Sequence, residues 1–239
     1  MRIGVIGCGE IASAVVQAIA PDGHQITLSQ RSTQVSTALA QRFDNVTVAD
    51  NQSVIDASDV VFLGLIADAA PAILGGLRFR PDQSVISFMA GATLDKTAPW
   101  VQPARLCALM MPFPTIVQGG SAVMVQGDVT LVQQLFGAKN TLFPIASAQD
   151  MAAYLSAQAI LSPVTLMVQE AANWLAARTE DPAQAESFLR CLIASSLAAS
   201  ACAPLLDSLN TPGGYNQRLR HHLEANGLPE AVKAGLSAL

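Results

Sequence analysis

The chain has 239 residues, room for one large domain or two modest ones, and is 51% hydrophobic, 13% charged and 5% aromatic. A formal net charge of −5 without any Lys/Arg cluster excludes a nucleic-acid partner. The four cysteines, Cys8, Cys107, Cys191 and Cys202, are scattered without metal-type spacing, which predicts no metal site and reduced, mostly buried thiols in a cytoplasmic protein.

Met1–Ile6 is an apolar run of strand length that leads from the first residue, so no signal peptide is expected. It ends in Gly7-Cys8-Gly9-Glu10-Ile11-Ala12, and a helix is expected over Ser13–Ala20. A G-x-G-x-x-A turn between a strand and a helix is the arrangement that binds a dinucleotide. Gly7 allows the tight turn, Gly9 admits a pyrophosphate, and Ala12 keeps the helix close to the strand. The N–H groups of Glu10, Ile11 and Ala12 then face the phosphates at the helix N-terminus.

The second strand, His24–Leu28, gives way to Ser29-Gln30-Arg31-Ser32. An NAD-preferring site places an acid at this strand end to hold the ribose 2′-OH, and none is present. A guanidinium flanked by hydroxyls and an amide suits a 2′-phosphate, so NADP(H) is expected in preference to NAD(H). The other reading of Arg31 is a solvated loop charge.

Further helices are expected at Gln34–Phe43, Asn51–Ala57, Ala70–Leu74, Thr93–Trp100 and Val129–Phe136, with Thr93 as an N-cap. Strands are expected at Val46–Val48, Val60–Leu65, Ser84–Met89, Leu106–Met111 and Ser121–Val125. This alternation predicts an α/β fold, a Rossmann-type doubly wound parallel sheet over residues 1–146. Ligands bind outside the carboxyl ends of such strands, which puts Leu65-Ile66-Ala67 and Met89-Ala90-Gly91 on the same rim as the glycine turn. Asn51 starts a helix near that rim, where it either reaches the adenosine or serves as an N-cap.

Residues 147–239 read as an all-helical second domain. Met151–Gln169 and Cys191–Leu206 contain no charged residue. The first carries Ser156, Gln158, Ser162, Pro163, Thr165 and Gln169 and lacks the residue density of a membrane span, so no membrane is expected. Helices apolar nearly all round are buried, and about ninety residues scarcely cover two of them, so a homodimer through these helices is predicted. Thr211-Pro212-Gly213-Gly214-Tyr215-Asn216 precedes a final helical stretch, Gln217–Ala225. It is either a plain turn between helices or a polar pocket wall of hydroxyls, amide and backbone N–H groups. His221-His222 is expected at the surface or a dimer contact, Glu170 beside a partner or the cleft, Met110-Met111 packed at a strand end, and Trp100 and Trp174 as core or interface anchors.

The order of these motifs resembles pyrroline-5-carboxylate reductase over nearly the whole chain. Ile3–Ala12 is similar to that family's opening strand and glycine turn, and Asp50–Leu63 to its third helix and fourth strand. Ser87–Leu94 is similar to its Ala-Ala-Gly-Val-Thr segment, Met111-Pro112 to its Met-Pro-Asn-Thr-Pro segment, and Thr211–Gly214 to its Ser-Pro-Gly-Gly-Thr-Thr signature. The resemblance implies a Rossmann domain followed by a helical dimerisation domain. It implies hydride transfer from NAD(P)H to a cyclic imine, giving proline, with Thr211, Pro212, Gly213 and Gly214 binding the substrate carboxylate through backbone N–H groups.

The departures fall on the substrate side. Tyr215 and Asn216 replace the family's Thr-Thr pair, one of which is the proposed proton donor. They stand as the catalytic candidates, although an amide is a poor acid and a phenol ordinarily ionises near ~10. Phe113-Pro114-Thr115 replaces the Asn-Thr-Pro part, Leu109 an upstream Arg, Ala159–Pro163 a glycine-rich turn, and Leu65-Ile66-Ala67 a Val-Lys-Pro stretch. Three functions follow: an NADP-dependent imine reductase of this type, a reductase of another small molecule or deazaflavin partner, or a non-catalytic nucleotide-binding dimeric sensor.

Overall fold

Short apolar runs bounded by glycines and polar caps form eight strands, and the computed structural model, which describes residues 1–239, joins them in one sheet. In chain order the first unit holds β1 (Arg2–Ile6), α1 (Glu10–Ile19), β2 (Gln25–Ser29), α2 (Thr33–Arg42), β3 (Val46–Ala49), α3 (Asn51–Asp56), β4 (Val60–Leu63) and α4 (Ala70–Leu74). It continues with β5 (Ser84–Ser87), α5 (Leu94–Thr97), β6 (Arg105–Pro112), β7 (Ala122–Gly127), α6 (Thr130–Phe136), β8 (Thr141–Ile145) and the start of α7 (Ala148–Ala157). The strand order is β3-β2-β1-β4-β5-β6-β7-β8.

Side chains alternate along the central strands, and both faces are covered, as parallel strands require. Ile3, Val5, Phe62 and Ile86 pack in one core with Val15, Ile19 and Phe136, while Ile6, Val61, Leu63 and Val85 pack in another with Val54, Ile55 and Leu74. Phe62 sits 5.0 Å from Phe88 and 6.3 Å from Phe136, ring centre to ring centre. Met110 and Met111 are buried on β6, and Trp100 packs against the second core, as expected.

The sheet corrects two expectations. It is not wholly parallel, because β7 runs antiparallel to β6, with Ala108 opposite Gly127 and Pro112 opposite Val123. Only residues 113–121 join these strands, with a 3-10 turn at Pro114–Val117, whereas a parallel crossover needs a dozen or more residues. The second correction is β8, an added edge strand parallel to β7 that sequence patterning misses because it contains Pro144. Proline is tolerated at a sheet edge, where its missing N–H costs no ladder bond.

The chain divides into two compact units, Met1–Met151 and Ala152–Leu239, with the boundary inside α7. The second unit contains α8 (Leu161–Ala176), α9 (Gln184–Ala199), α10 (Cys202–Ser208), α11 (Tyr215–Ala225) and α12 (Leu228–Ser237). Thus α11 starts two residues earlier than its apolar pattern predicts, and one more helix follows it. In this unit α8 packs on α9 and α11 on α12, yet only Ala172 and Ala185 are buried in the single chain. Trp174 is 61% exposed beneath the Arg178 guanidinium, Glu170 is exposed and forms no ion pair, and Cys191 and Cys202 are exposed rather than buried. The helical run Ala148–Ala176 has the length and apolarity of a membrane span.

Candidate functional site

The strand order reverses between β1 and β4, and a glycine follows each strand there. Gly7 has φ +90°, and a Cβ on it would lie 2.5 Å from the Gly64 carbonyl oxygen. A Cβ on Gly64 would meet the Gly7 oxygen at the same distance and the Ala12 Cβ at 3.0 Å. The two turns therefore touch backbone to backbone, and only glycine fits at either position. Gly64 is a site residue that the sequence reading missed; its signal was a glycine closing the apolar run Val60–Leu63.

Gly9 differs, because a Cβ there would meet nothing within 4 Å. Open space lies over the start of α1, and no side chain caps that helix. The N–H groups of Glu10, Ile11 and Ala12, left unpaired at any helix start, therefore offer an anion site. A cleft of about 160 Å³ sits here, lined by Gly7, Cys8, Gly9, Arg31, Ser32, Gly64, Leu65, Ile66 and Ala69. These residues fit the pyrophosphate and adjacent ribose of a dinucleotide.

The end of β2 shapes the other wall. Ser29 is fully buried, and its hydroxyl accepts the Gly7 N–H at 2.9 Å, so it holds the glycine turn in place and is withdrawn from solvent. Gln30 and Arg31 are exposed. Ser32 lies in the left-handed region at φ +73°, the one non-glycine residue to do so, and its hydroxyl does not cap α2. Holding a serine there costs roughly 1–3 kcal/mol, and such strain concentrates at binding sites. Asn51 is half-buried as the first residue of α3, and Asp50 is the N-cap, accepting the Gln52 and Ser53 N–H groups at 3.0 and 3.1 Å. The Ser53 hydroxyl donates to the Asp50 carboxylate and holds its pKa below the usual carboxylate value. The capping role thus belongs to Asp50, and the Asn51 amide is left over from it.

The ends of β4, β5 and β6 form an apolar rim on the same side of the sheet. After β4, Leu65 is buried, Ala67 half-buried and Ile66 74% exposed. After β5, Met89 is buried while Ala90 and Gly91 are exposed, and Gly91 turns at φ +83° into the Thr93 cap of α5. After β6 comes half-buried Phe113, which the sequence reading registered as a departure without giving it a place. Cys8, inside the glycine turn, is buried, and burial pushes its thiol up to about 11.

In the second unit, Thr211–Gly214 forms a turn in which the Gly214 N–H donates to the Thr211 oxygen at 2.9 Å and Gly213 takes φ +73°. The Gln217 side chain ties the turn together, accepting the Gly213 N–H at 2.8 Å and donating to the Asn210 amide oxygen at 3.0 Å; Arg220 donates to that oxygen at 2.7 Å. Gly214 caps α11 without a side chain. Tyr215 is 90% exposed and Asn216 exposed, both on the first turn of α11. A separate groove of about 420 Å³ lies between α8 and α9, lined by Val164, Thr165, Val168, Gln169, Glu186 and Arg190, none of them part of this turn. His221 and His222 are exposed.

Comparison with known proteins accords with this geometry. Residues 2–91 match the family described as NADP oxidoreductase, coenzyme F420-dependent. A pyrroline-5-carboxylate reductase of Corynebacterium melassecola is 27% identical over 161 residues, 63% of this chain and 59% of that protein. The matched stretch thus spans less than two thirds of the relative. The 1-pyrroline-5-carboxylate reductase of Streptococcus pyogenes superposes with a TM-score of 0.83 at 22% identity, covering 100% of this chain and 96% of that one. The NADP-bound pyrroline carboxylate reductase of Plasmodium falciparum gives 0.82 at 16% identity, covering 100% and 95%. A reductive aminase of Aspergillus terreus in complex with NADPH gives 0.58 at 17% identity, covering 90% and 78%. In sequence over part of its length, and in fold over all of it, the chain resembles pyrroline-5-carboxylate reductase.

Proposed function

We propose that the protein is an NADPH-dependent reductase of a C=N bond that converts a cyclic imine of the pyrroline-5-carboxylate type to the corresponding cyclic amine, proline in the simplest case. The observation that carries this reading is the paired-glycine switch point, where open space over Gly9 meets an uncapped helix start beside an apolar rim. A reduced nicotinamide, when bound, supplies the hydride.

The chain's own residues bind and orient. The first turn of α1, Glu10–Ala12, receives the pyrophosphate, Gly7 and Gly9 give it room, and Ser29 fixes the turn. Arg31, with Gln30 and Ser32, holds the 2′-phosphate, which sets the preference for NADP(H) over NAD(H). Asn51 reaches the adenosine. Leu65, Ile66, Ala67, Met89, Ala90 and Gly91 seat the reactive end and keep water from it. In the second unit, Thr211, Pro212, Gly213 and Gly214 take the substrate carboxylate, and Tyr215 and Asn216 present polar groups to the substrate nitrogen.

A second copy of the chain covers the apolar α8 and α9 in this reading, and a membrane does not. Ser156, Gln158, Thr165 and Glu170 within Ala148–Ala176 suit a protein interface better than lipid. The four unpaired cysteines agree with a cytoplasmic protein. A second reading, a related reductase of a different small substrate, is favoured by Tyr215 and Asn216 standing where the resembling family carries threonines.

The test is oxidation of NADPH, with NADH in parallel, on adding pyrroline-5-carboxylate to the purified protein. Turnover faster with NADPH supports the assignment. Nucleotide binding without turnover overturns the proline assignment and leaves the second reading.

A further inference from the structure

The rim that would face the reacting atoms is built from side chains that neither donate nor accept protons. Leu65, Ile66 and Ala67 follow β4, Met89, Ala90 and Gly91 follow β5, and Phe113 and Pro114 follow β6. The ionisable residues of the segments around it are few. Arg31, which lines the cleft with Leu65 and Ile66, Glu10 on α1, Asp68 in the 3-10 turn after β4, and Asp95 and Lys96 on α5 are all exposed to solvent. Cys8 is buried beneath the glycine turn with its thiol pushed up to about 11, so it is no acid near neutrality.

An apolar rim discriminates between two kinds of hydride acceptor. A neutral carbonyl that accepts hydride becomes an alkoxide while the nicotinamide becomes a cation, so two opposite charges are created where little polar material stabilises them. An iminium ion already carries the positive charge. Its carbon accepts the hydride, the π pair of the C=N bond moves onto nitrogen, and a neutral amine results. The positive charge passes from substrate to nicotinamide, no net charge is created, and no proton moves in the step.

We infer that the rim selects substrates that arrive as preformed iminium cations, so that proton delivery is left to solvent before binding and no side chain acts as general acid. This inference rests on the imine-reductase reading above and narrows its substrate class. It also accounts for Tyr215 and Asn216, two weak acids, standing where a proton donor is otherwise expected.

The test has a kinetic and a binding arm, both on the full-length protein. kcat/KM with NADPH is measured against pH for pyrroline-5-carboxylate and for a ring-fluorinated analogue of lower imine pKa. The expected alkaline limb falls tenfold per pH unit above each substrate's own pKa, so the break moves to lower pH with the analogue. The cyclic ketone of the same ring size stays unreduced. Asp68→Asn and Lys96→Met leave the break where it is.

In the binding arm, N,N-dimethylpyrrolidinium, a permanent cation of similar shape, is titrated into protein loaded with NADPH or with NADP+. Binding at least about tenfold tighter to the reduced form is expected, because only the oxidised ring repels it at close range. A break that stays fixed when the substrate changes, a variant that moves it, reduction of the ketone, or equal affinity for the two loaded forms overturns the inference and leaves the reductase reading standing. Absence of turnover with either imine while NADPH binds overturns both.

Discussion

The two units of this chain use similar apolar residues to opposite ends. In Met1–Met151, alternate strand residues disappear into two cores, and Phe62, Ile3 and Leu63 are wholly buried. In Ala152–Leu239, Leu161, Leu166, Met167, Phe188 and Leu192 are exposed, and only Ala172 and Ala185 are covered. Hydrophobic composition therefore reports that a surface must be covered, and it does not report by what. The sheet covers its own apolar faces with helices from the same unit. The exposed apolar side chains of α8 and α9 are, in the proposed reading, the surface that a second copy covers.

The sharpest test of the self-sufficient unit is Gly7→Ala. The added methyl would meet the Gly64 backbone at 2.5 and 2.8 Å, where no side chain can move aside, and φ +90° strains any L-residue. A loss of about 2–4 kcal/mol of stability is expected on strain grounds, together with loss of NADPH binding, read by chemical denaturation and nucleotide fluorescence. Gly9→Ala is the control, since its methyl meets no protein atom; it should fold normally and weaken the nucleotide alone.

The complementary test strikes the uncovered unit. Leu166 is 58% exposed on α8, so Leu166→Arg should change the stability of an isolated protomer by no more than about 0.5 kcal/mol. Against a second copy it would bury an unpaired charge, and the assembly should fall to monomers in analytical ultracentrifugation. An unchanged sedimentation coefficient would remove α8 from the interface. A smaller effect is expected at the cofactor. Arg31→Ala should weaken NADPH by about tenfold to a hundredfold, the worth of a charge-assisted phosphate contact, and leave NADH unchanged, as read by isothermal titration. Equal losses for both nucleotides would mean that Arg31 shapes the loop and does not read the phosphate.

What could be read in the sequence was whatever depends on local spacing. The Gly7–Ala12 turn, the Thr93 cap and the strands β1, β4 and β5 all rest on neighbours a few residues away, and they appear where the pattern puts them. The antiparallel β7 was not legible, because its direction is set by the length of the 113–121 connection. Nor was β8, because Pro144 is acceptable only at an edge and edges are a property of the finished sheet. At the site, Gly64 escaped notice because its partner Gly7 lies 57 positions earlier, 64 − 7, and the contact exists only once β1 and β4 are side by side. Local spacing likewise places the Ser29 hydroxyl beside the 2′-phosphate, whereas it accepts the N–H of Gly7, a tertiary neighbour. Burial of Cys191 and Cys202 was misjudged because an apolar helix without its cover leaves them exposed.

The cysteines therefore offer the mildest test of the contrast. Cys8 lies at the heart of the first unit and Cys107 is buried on β6, whereas Cys191 and Cys202 lie on the open helices α9 and α10. The thiolate is the reactive form, and burial disfavours it, holding Cys8 up at about 11. Mild alkylation in native buffer at pH 8 should label Cys191 and Cys202 and spare Cys8 and Cys107, as mapped by peptide mass. Oligomer formation on α9 would slow Cys191 in proportion to protein concentration. The sign for stability follows from the raised pKa. Below the ordinary thiol value, 9.0, both folded and unfolded chains keep the proton and Cys8 costs nothing. As pH rises from there toward about 11, the unfolded chain ionises first and folding loses ground. Cys8→Ala should flatten that alkaline decline, as read by chemical denaturation at pH 8 and pH 10.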